Sequence, residues 1–485
     1  MKKIDYKWIA LSCTTLGALF SVLSGTTLVV ALPVIMKDLN ASMSVITWTI
    51  MGYMLVMTIL VPSIGRMGDM YGRKKLYVSG FAIFTFASLL CGLSQSGIQL
   101  IIFRLIQAVG GALILANGTA IVADAFSKKE LGKALGLNIS VISVAVIIGP
   151  ILGGFLMNFG WRSIFYINIP IGIIGTLWSA FQLKEMNKIT KKQTFDLKGT
   201  LSFTAGVLFL LTALSLGGFI GWLNPYILLL FVFSIALMAL FVYIETNSDE
   251  PMLDLRLFKT RVIAFAYISN LLNGLARGAV TFLLIFYFQG VKGLDPLTAG
   301  LLLSPFAIAM MLVSPFSGGL SDRFGTRILS SVGLLITAVG LGGLMMITEN
   351  TSIIEIILWM FIMGFGSGMF FSPNTSSIMG SVPPSKRGIA AGVNTMMSNA
   401  GALLSIAISM AIISSSISPD AMQALFLGTQ IGANGIAINE FVAGLRMAFT
   451  ISFIFSLTAA VMSYLRGPKQ IWQEDDNSRV NQKFI

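Results

Sequence analysis

The sequence contains no histidine, so imidazole metal ligands, histidine-based triads and histidine proton relays are all excluded. Cysteine is nearly as scarce. Cys13 and Cys91 both fall inside apolar runs, which indicates neither a disulfide framework nor a thiolate metal site. Charge is thin too: Asp, Glu, Lys and Arg make up 11% of 485 residues, against about 25% in ordinary soluble domains. No G-x-x-x-x-G-K-[ST] occurs, so ATP is not the energy source within this chain. No cofactor is indicated.

What abounds is hydrocarbon. Apolar residues fill 55% of positions, mean hydropathy is +0.86, and 35 Phe and 26 Met are spread over the whole length. This rules out a soluble fold and predicts an all-α polytopic membrane protein. A hydrocarbon core about 30 Å thick needs roughly 20 apolar residues of helix. Fourteen runs qualify, near 9–31, 44–64, 76–94, 98–123, 134–157, 163–181, 199–219, 224–244, 262–287, 298–317, 328–347, 352–372, 388–413 and 441–464. No small-x-small cleavage pattern precedes Pro33, so the first run is expected to stay as helix one and the mature chain to begin near Met1.

The net charge of +12 suggests nucleic acid until the charges are placed on the chain. The N-terminus and the loops after even-numbered helices hold 26 of the 32 basic residues, among them Lys2, Lys3, Lys7, Arg66, Arg73, Lys74, Lys75, Lys184, Lys188, Lys191, Lys192 and Lys198. The opposite loops hold Lys37, Arg162 and Lys292, and Arg104, Arg277 and Arg446 fall within spans. The positive-inside rule therefore places both termini in the cytoplasm of a multi-pass cell-membrane protein, most simply a prokaryotic plasma membrane. The basic excess is topological, and no nucleic-acid partner is expected. From Arg466 onward, with Glu474, Asp475 and Asp476, the chain reads as a short solvated tail.

A repeat lies in the loops. After helix two the chain reads Gly65-Arg-Met-Gly-Asp69-Met-Tyr-Gly72-Arg73-Lys74-Lys75, and after helix ten Gly318-Gly-Leu-Ser-Asp322-Arg323-Phe-Gly325-Thr-Arg327. Both fit G-x-[LM]-[GS]-D-x-[FY]-G-x-[KR] at an offset of 253 residues, which points to a duplicated half. Two extra helices, near 199–219 and 224–244, then separate two six-helix blocks, giving units 1–185, 186–255, 256–465 and a tail 466–485. The motif suits a tight turn: glycine permits close approach and unusual backbone angles, and an Asp can sit at a helix N-terminus, where the dipole favours an anion.

These residues resemble the major facilitator superfamily and, within it, the fourteen-helix drug:proton antiporter group. Leu100-x-x-x-Arg104-x-x-Gln107 resembles its buried-arginine motif, with Ala108 where Gly is usual. Gly149-Pro150-x-Leu-Gly153-Gly154 is similar to its antiporter motif. Trp161-Arg162-x-Ile-Phe-Tyr-Ile-Asn168-Ile-Pro170-Ile-Gly172, Asp254-Leu-Arg256-Leu-Phe258 and Arg387-Gly388-x-Ala-Ala-Gly392 are phrases typical of the group. The resemblance implies two six-helix bundles rocking about a central cavity, with the repeated loops as cytoplasmic latches and Asp124 as the partner of Arg73.

Ionisable groups inside a bilayer are costly and each is a functional candidate. Arg104, Arg277 and Arg446 stand against one acid, Glu355, about one turn into helix twelve. Arg446 and Glu355 lie near the outer surface and can snorkel. Arg277 lies sixteen residues past Arg261, deeper than snorkelling reaches, with Asn270 and Asn273 at helical spacing. The group's helix one usually reads Leu-Asp-x-Thr-Ile-Val-Asn-Val-Ala-Leu-Pro. Here the chain has Leu23-Ser24-Gly25-Thr26-Thr27-Leu28-Val29, so Ser24 replaces the membrane Asp and Val29 the Asn. An interior richer in Arg than in carboxylate should favour anionic, zwitterionic or neutral amphiphiles over lipophilic cations. Ser24, Thr27, Asn270, Asn273 and Arg277 are the cavity candidates, Arg104, Gln107, Arg277 and Glu355 the buried-charge candidates, and Asp124 and Glu355 the acids to test for proton coupling. Met310-Met311, Met345-Met346 and Met369-Phe370-Phe371 are adaptable enough to line a drug cavity, although such stripes commonly serve packing.

The expected function is a secondary transporter that exports small amphipathic compounds on the proton gradient, working as a monomer. The alternative is an uptake or exchange carrier for an organic anion. A membrane-embedded enzyme would need an acid pair or a histidine at the membrane surface, and a channel fits duplicated bundles less well than alternating access does. Reporter fusions after residues 70 and 325 are expected to report the same cytoplasmic side; opposite sides would overturn the duplicated-bundle reading.

Overall fold

The computed structural model describes residues 5–41, 43–127, 129–186, 196–248, 251–253, 255–417 and 435–467. Lys2, Lys3, Lys188, Lys191, Lys192, Asp254 and the tail acids Glu474, Asp475 and Asp476 lie outside the described residues. Among the described residues fourteen helices are long and apolar enough to cross a membrane. In the first half they are α1 (Tyr6–Asp38), α2 (Met43–Tyr71), α3 (Arg73–Gly92), α4 (Gly97–Ala125), α5 (Leu131–Met157) and α6 (Asn168–Gln182). Two further helices follow, α7 (Leu197–Ile220) and α8 (Pro225–Asn247). The second half holds α9 (Arg261–Phe286), α10 (Ser304–Phe324), α11 (Thr326–Leu344), α12 (Ile353–Ser381), α13 (Arg387–Ser416) and α14 (Gly435–Leu465).

Helix starts follow local chemistry. Ser96 accepts from the Gln99 amide and opens α4, Asp196 accepts from Gly199 at 2.8 Å and opens α7, and Asn224 followed by Pro225 opens α8. Each side chain satisfies a backbone donor that the first helical turn leaves unpaired. The sequence spans depart from the structure in detail. The sixth is broken at Ile167, after a one-turn helix Ser163–Tyr166. The ninth runs on through a π-turn at Tyr287–Val291, and the tenth is preceded by a short helix, Pro296–Leu301.

The repeated motif is helix rather than loop, which corrects the sequence expectation. Its first seven residues form the last turns of α2 and α10, and only Gly72 and Gly325 break the helix, at φ 101° and 88°, so that α3 and α11 start at the next residue. That backbone region admits glycine at little cost.

Within each half neighbouring helices pack closely, α3 and α2 on α4 and α1 on α5, then α9 on α13 and α12 on both α10 and α11. The halves meet along two seams, α5 with α10 and α2 with α13. Side chains such as Phe181, Phe316 and Ile354 point outward, as they do where hydrocarbon is the solvent. The extra helices pair with each other, and α7 leans on both α13 and α2. Both described chain ends lie on one face of the bundle, called here the terminal face: Lys7 pairs with Glu130 at the start of α5, and Arg466 bonds the Thr326 carbonyl at the start of α11. On the opposite face Asp38 accepts from Trp161 Nε1 at 2.8 Å and from Arg162 at 3.0 Å. The indole hydrogen bond, then the guanidinium, hold its carboxyl below the usual range.

Both seams close through glycine at the terminal face. A Cβ on Gly65 would collide with the Gly388 carbonyl, and one on Gly318 with the Gly132 carbonyl. Gly319, next in the chain, has nothing within 4 Å of such a Cβ. Gly132→Val and Gly388→Val are expected to lower stability by about 1–3 kcal/mol through overpacking, with Gly319→Val within about 0.5 kcal/mol of wild type. Thermal melts of the detergent-purified variants check this, and equal melting temperatures for the three would refute the seam assignment.

Candidate functional site

The two seam aspartates do the same thing at equivalent places. Asp69, on α2, accepts the Gly388 amide at 2.9 Å and the Ile389 amide at 3.0 Å, the second and third residues of α13. Asp322, on α10, accepts the Gly132 amide at 3.0 Å and the Lys133 amide at 3.1 Å, again the second and third residues of α5. Helix N-termini carry unpaired N–H groups and a partial positive charge, so each carboxylate joins one half of the chain to the other by charge-assisted hydrogen bonds. Ser372 Oγ adds a bond to the Gly132 carbonyl at 2.7 Å.

Around Asp69, charges from both halves pair. Arg73 is 1% exposed; its Nη2 lies 2.5 Å from Asp69 Oδ1 and 2.5 Å from the Pro384 carbonyl, and its Nη1 pairs with Asp124. Arg387 donates to Asp124 Oδ1 at 3.0 Å and to the Ala123 carbonyl at 2.7 Å. Two guanidiniums thus offset two carboxylates across both halves. Glu185, past the end of α6, accepts the Arg73 and Lys74 amides at 3.2 and 3.0 Å and caps α3.

The second latch is built differently. The position equivalent to Arg73 is Thr326, and Arg327 instead stacks on the Tyr464 ring at 4.1 Å, while Arg323 is exposed. Arg466 approaches Thr326 from the end of α14. Expected to begin a solvated tail, it is 1% exposed, and its guanidinium donates to the Thr326 and Ser463 carbonyls, Ser463 Oγ and Asn374 Oδ1. Its acceptors all belong to the second half, which is why proximity to the chain end misled the sequence reading.

Between the halves the expected residues divide. Arg104 is 1% exposed, donates to Gln107 Oε1 at 2.5 Å and lies 4.1 Å from the Tyr53 ring. Gln107 donates in turn to Ser88 at 2.6 Å and to Ser24 at 3.4 Å, and Asn168 donates to Ser24 at 3.2 Å. Ser24 is therefore an enclosed acceptor within the first bundle, not a cavity wall. Thr27 is likewise removed from the cavity set: its hydroxyl bonds the Leu23 carbonyl at 2.9 Å and its backbone lies against Gly153. Gly149 and Gly153 seat α5 on Thr26 and Thr27 of α1, whereas Pro150 and Gly154 face Gly300 and Leu297 in the short helix before α10. In the second half Asn270 Nδ2 donates to the Asn394 side chain at 2.9 Å, and Arg277 Nη2 donates to Ser398 Oγ at 3.2 Å with its guanidinium 4.9 Å from the Phe371 ring. Among the described residues neither Arg104 nor Arg277 meets a carboxylate.

Glu355 is at the helix end expected of it but is not a buried charge. It lies in the first turn of α12, exposed, with Ser352 capping its amide, where a helix N-terminus favours an acid. Arg446 bonds the Met345 carbonyl, Met345 packs partly buried on the core of the second half, and Met346 is exposed. The sequence reading missed Glu245, 5% exposed near the end of α8, both of whose carboxylate oxygens lie 3.3 Å from the Leu253 amide. An acid at the end of an apolar run was the available signal.

Asp69→Asn and Arg73→Ala are expected to accelerate amide exchange at the first turn of α13 by about tenfold or more and to leave α5 unchanged, while Asp322→Asn does the reverse. Hydrogen–deuterium exchange of purified protein reads both termini at once; identical protection in all variants would sink the latch assignment.

A sequence profile of the Major Facilitator Superfamily matches residues 14–255 and 266–485. The riboflavin transporter RibZ of Clostridioides difficile is 35% identical over 383 residues, covering 79% of this chain and 83% of that protein. The multidrug transporter protein MdtP of Bacillus subtilis is 32% identical over 393 residues, covering 80% of this chain and 72% of its own. The crystal structure of the human organic anion transporter MFSD10 superposes with a TM-score of 0.65 at 13% identity, covering 93% of this chain and 99% of that one, a likeness of fold. With fourteen spans, paired latches and a profile match over nearly its whole length, the chain belongs to the major facilitator superfamily, in its fourteen-helix branch.

Proposed function

We propose that the protein exports small amphipathic compounds across the plasma membrane by proton-driven alternating access, as a monomer, with both termini and both latches on the cytoplasmic side. The observation that carries this reading is the pair of interbundle aspartate latches, Asp69 on α13 and Asp322 on α5, which hold the terminal face shut while leaving the halves free to part by loss of a few hydrogen bonds. Alternating access requires a closure of this kind, reversible and confined to one face. The basic residues crowded at that face support a cytoplasmic orientation. Similarity to a named multidrug transporter supports export, and the Gly149, Gly153 contacts of α5 on α1 fit the antiporter-like stretch.

Proton coupling cannot run through the usual helix-one acid, because Ser24 stands there. Asp69 and Asp124 take its place in this reading: each is the acceptor that ties the halves together, so protonating either removes charge-assisted bonds across the seam. The organic-anion carrier remains the second reading, favoured by the two guanidiniums that meet no carboxylate among the described residues.

Proteoliposomes carrying a neutral lipophilic drug should show uphill flux under an imposed pH gradient, abolished by a protonophore and reduced at least about tenfold in Asp124→Asn. Flux that ignores the gradient would exclude proton antiport.

A further inference from the structure

Among the described residues Arg104, Arg277 and Arg466 form no ion pair with a carboxylate, and they are not equivalent. Arg466 donates to four acceptors and is fully enclosed. Arg104 is enclosed between Gln107 and the Tyr53 ring. Arg277 shares with Arg104 a single hydrogen-bond partner, here Ser398 Oγ at 3.2 Å, and an Nε with none, but it alone of the three is half-buried rather than enclosed. It lies sixteen residues into α9, a rise of about 24 Å from the terminal end of the helix, deep in the span where a cation without an acid is costly.

A second observation points to the same place. Asn273, one helical turn away on the same stripe of α9, is 0% exposed, and neither its amide oxygen nor its amide nitrogen has a partner. Buried amides are ordinarily paired, and an orphaned one beside an under-occupied guanidinium is a donor set without its acceptor. Phe371 of α12 places an aromatic face 4.9 Å from the guanidinium, so the polar donors lie against an apolar wall. The arrangement suits a planar oxyanion carried on a ring: guanidinium and carboxylate match as a two-pronged pair, and the ring lies along Phe371.

We propose that Arg277, Asn273 and Ser398 form an anion subsite between α9, α12 and α13 that takes the carboxylate of an aromatic acid, with Phe371 packing on its ring. This rests on the alternating-access reading above and names the substrate class that such a transporter would select. A lipophilic cation is disfavoured, because desolvation beside Arg277 is offset by no acid among the described residues.

Equilibrium binding of radiolabelled 2-naphthoate, 2-naphthamide and 2-naphthyltrimethylammonium to purified full-length protein at pH 7 tests it. Wild type should bind the carboxylate at least about tenfold more tightly than the amide, with the cation weakest. Arg277→Ala should erase the preference for carboxylate over amide and change amide affinity by less than about threefold. Asn273→Asp, which puts an acid beside Arg277, should erase it too and keeps the test intact if Arg277→Ala fails to fold. Equal carboxylate and amide affinities in wild type, preference for the cation, or a preference that survives both substitutions overturns the subsite. Absence of naphthoate binding also overturns it, whatever the flux assays show. If naphthoate binds selectively but no compound crosses proteoliposomes under a pH gradient, the antiport reading fails and the subsite stands.

Discussion

An aspartate set against the start of a helix from the other half of the chain is the contact on which this architecture depends. Asp69 faces α13 and Asp322 faces α5, each accepting the second and third amides of its helix. The contact needs three things at once: a carboxylate, exposed N–H groups and backbones close enough to meet. Glycine on both sides of each seam supplies the last, and Gly72 and Gly325 turn the chain sharply enough to leave the aspartate one turn before the break. A carboxylate as buried as Asp69 would be costly alone, and Arg73 makes it tolerable by pairing with both Asp69 and Asp124. At the second latch Thr326 stands at the position equivalent to Arg73, so the two closures share their backbone geometry without repeating the same side chains.

The interior follows a different rule. In helix one Ser24 accepts from Gln107 and Asn168, and Gln107 takes up Arg104. The first bundle thereby encloses its cation within a neutral network. The second bundle leaves its cation half-covered, which moves the chemistry of recognition toward α9 and α12.

Much of this was legible in the sequence. Fourteen spans, the duplicated motif and the roles of glycine in it follow from composition, spacing and backbone sterics alone. Positions of charges relative to a span's middle were also readable, so Arg104 and Arg277 stood out. What was not readable were pairings across hundreds of residues. Arg387 and Gly388 belonged to a recognisable phrase, yet nothing local shows that they meet Asp124 and Asp69. Arg466 looked terminal because its acceptors, Thr326 and Asn374, are remote in the chain. Glu355 lies near a helix end as its position suggested, since helix twelve begins at Ile353, one residue from the expected start, but it is an exposed first-turn residue and not a buried charge.

The extra helices bring a mechanical consequence. Since α7 rests on α2 from one half and α13 from the other, no swing of the halves can leave both contacts intact. A motion that parts the halves shears one of them, and α8, docked on α7, travels with the half that α7 follows.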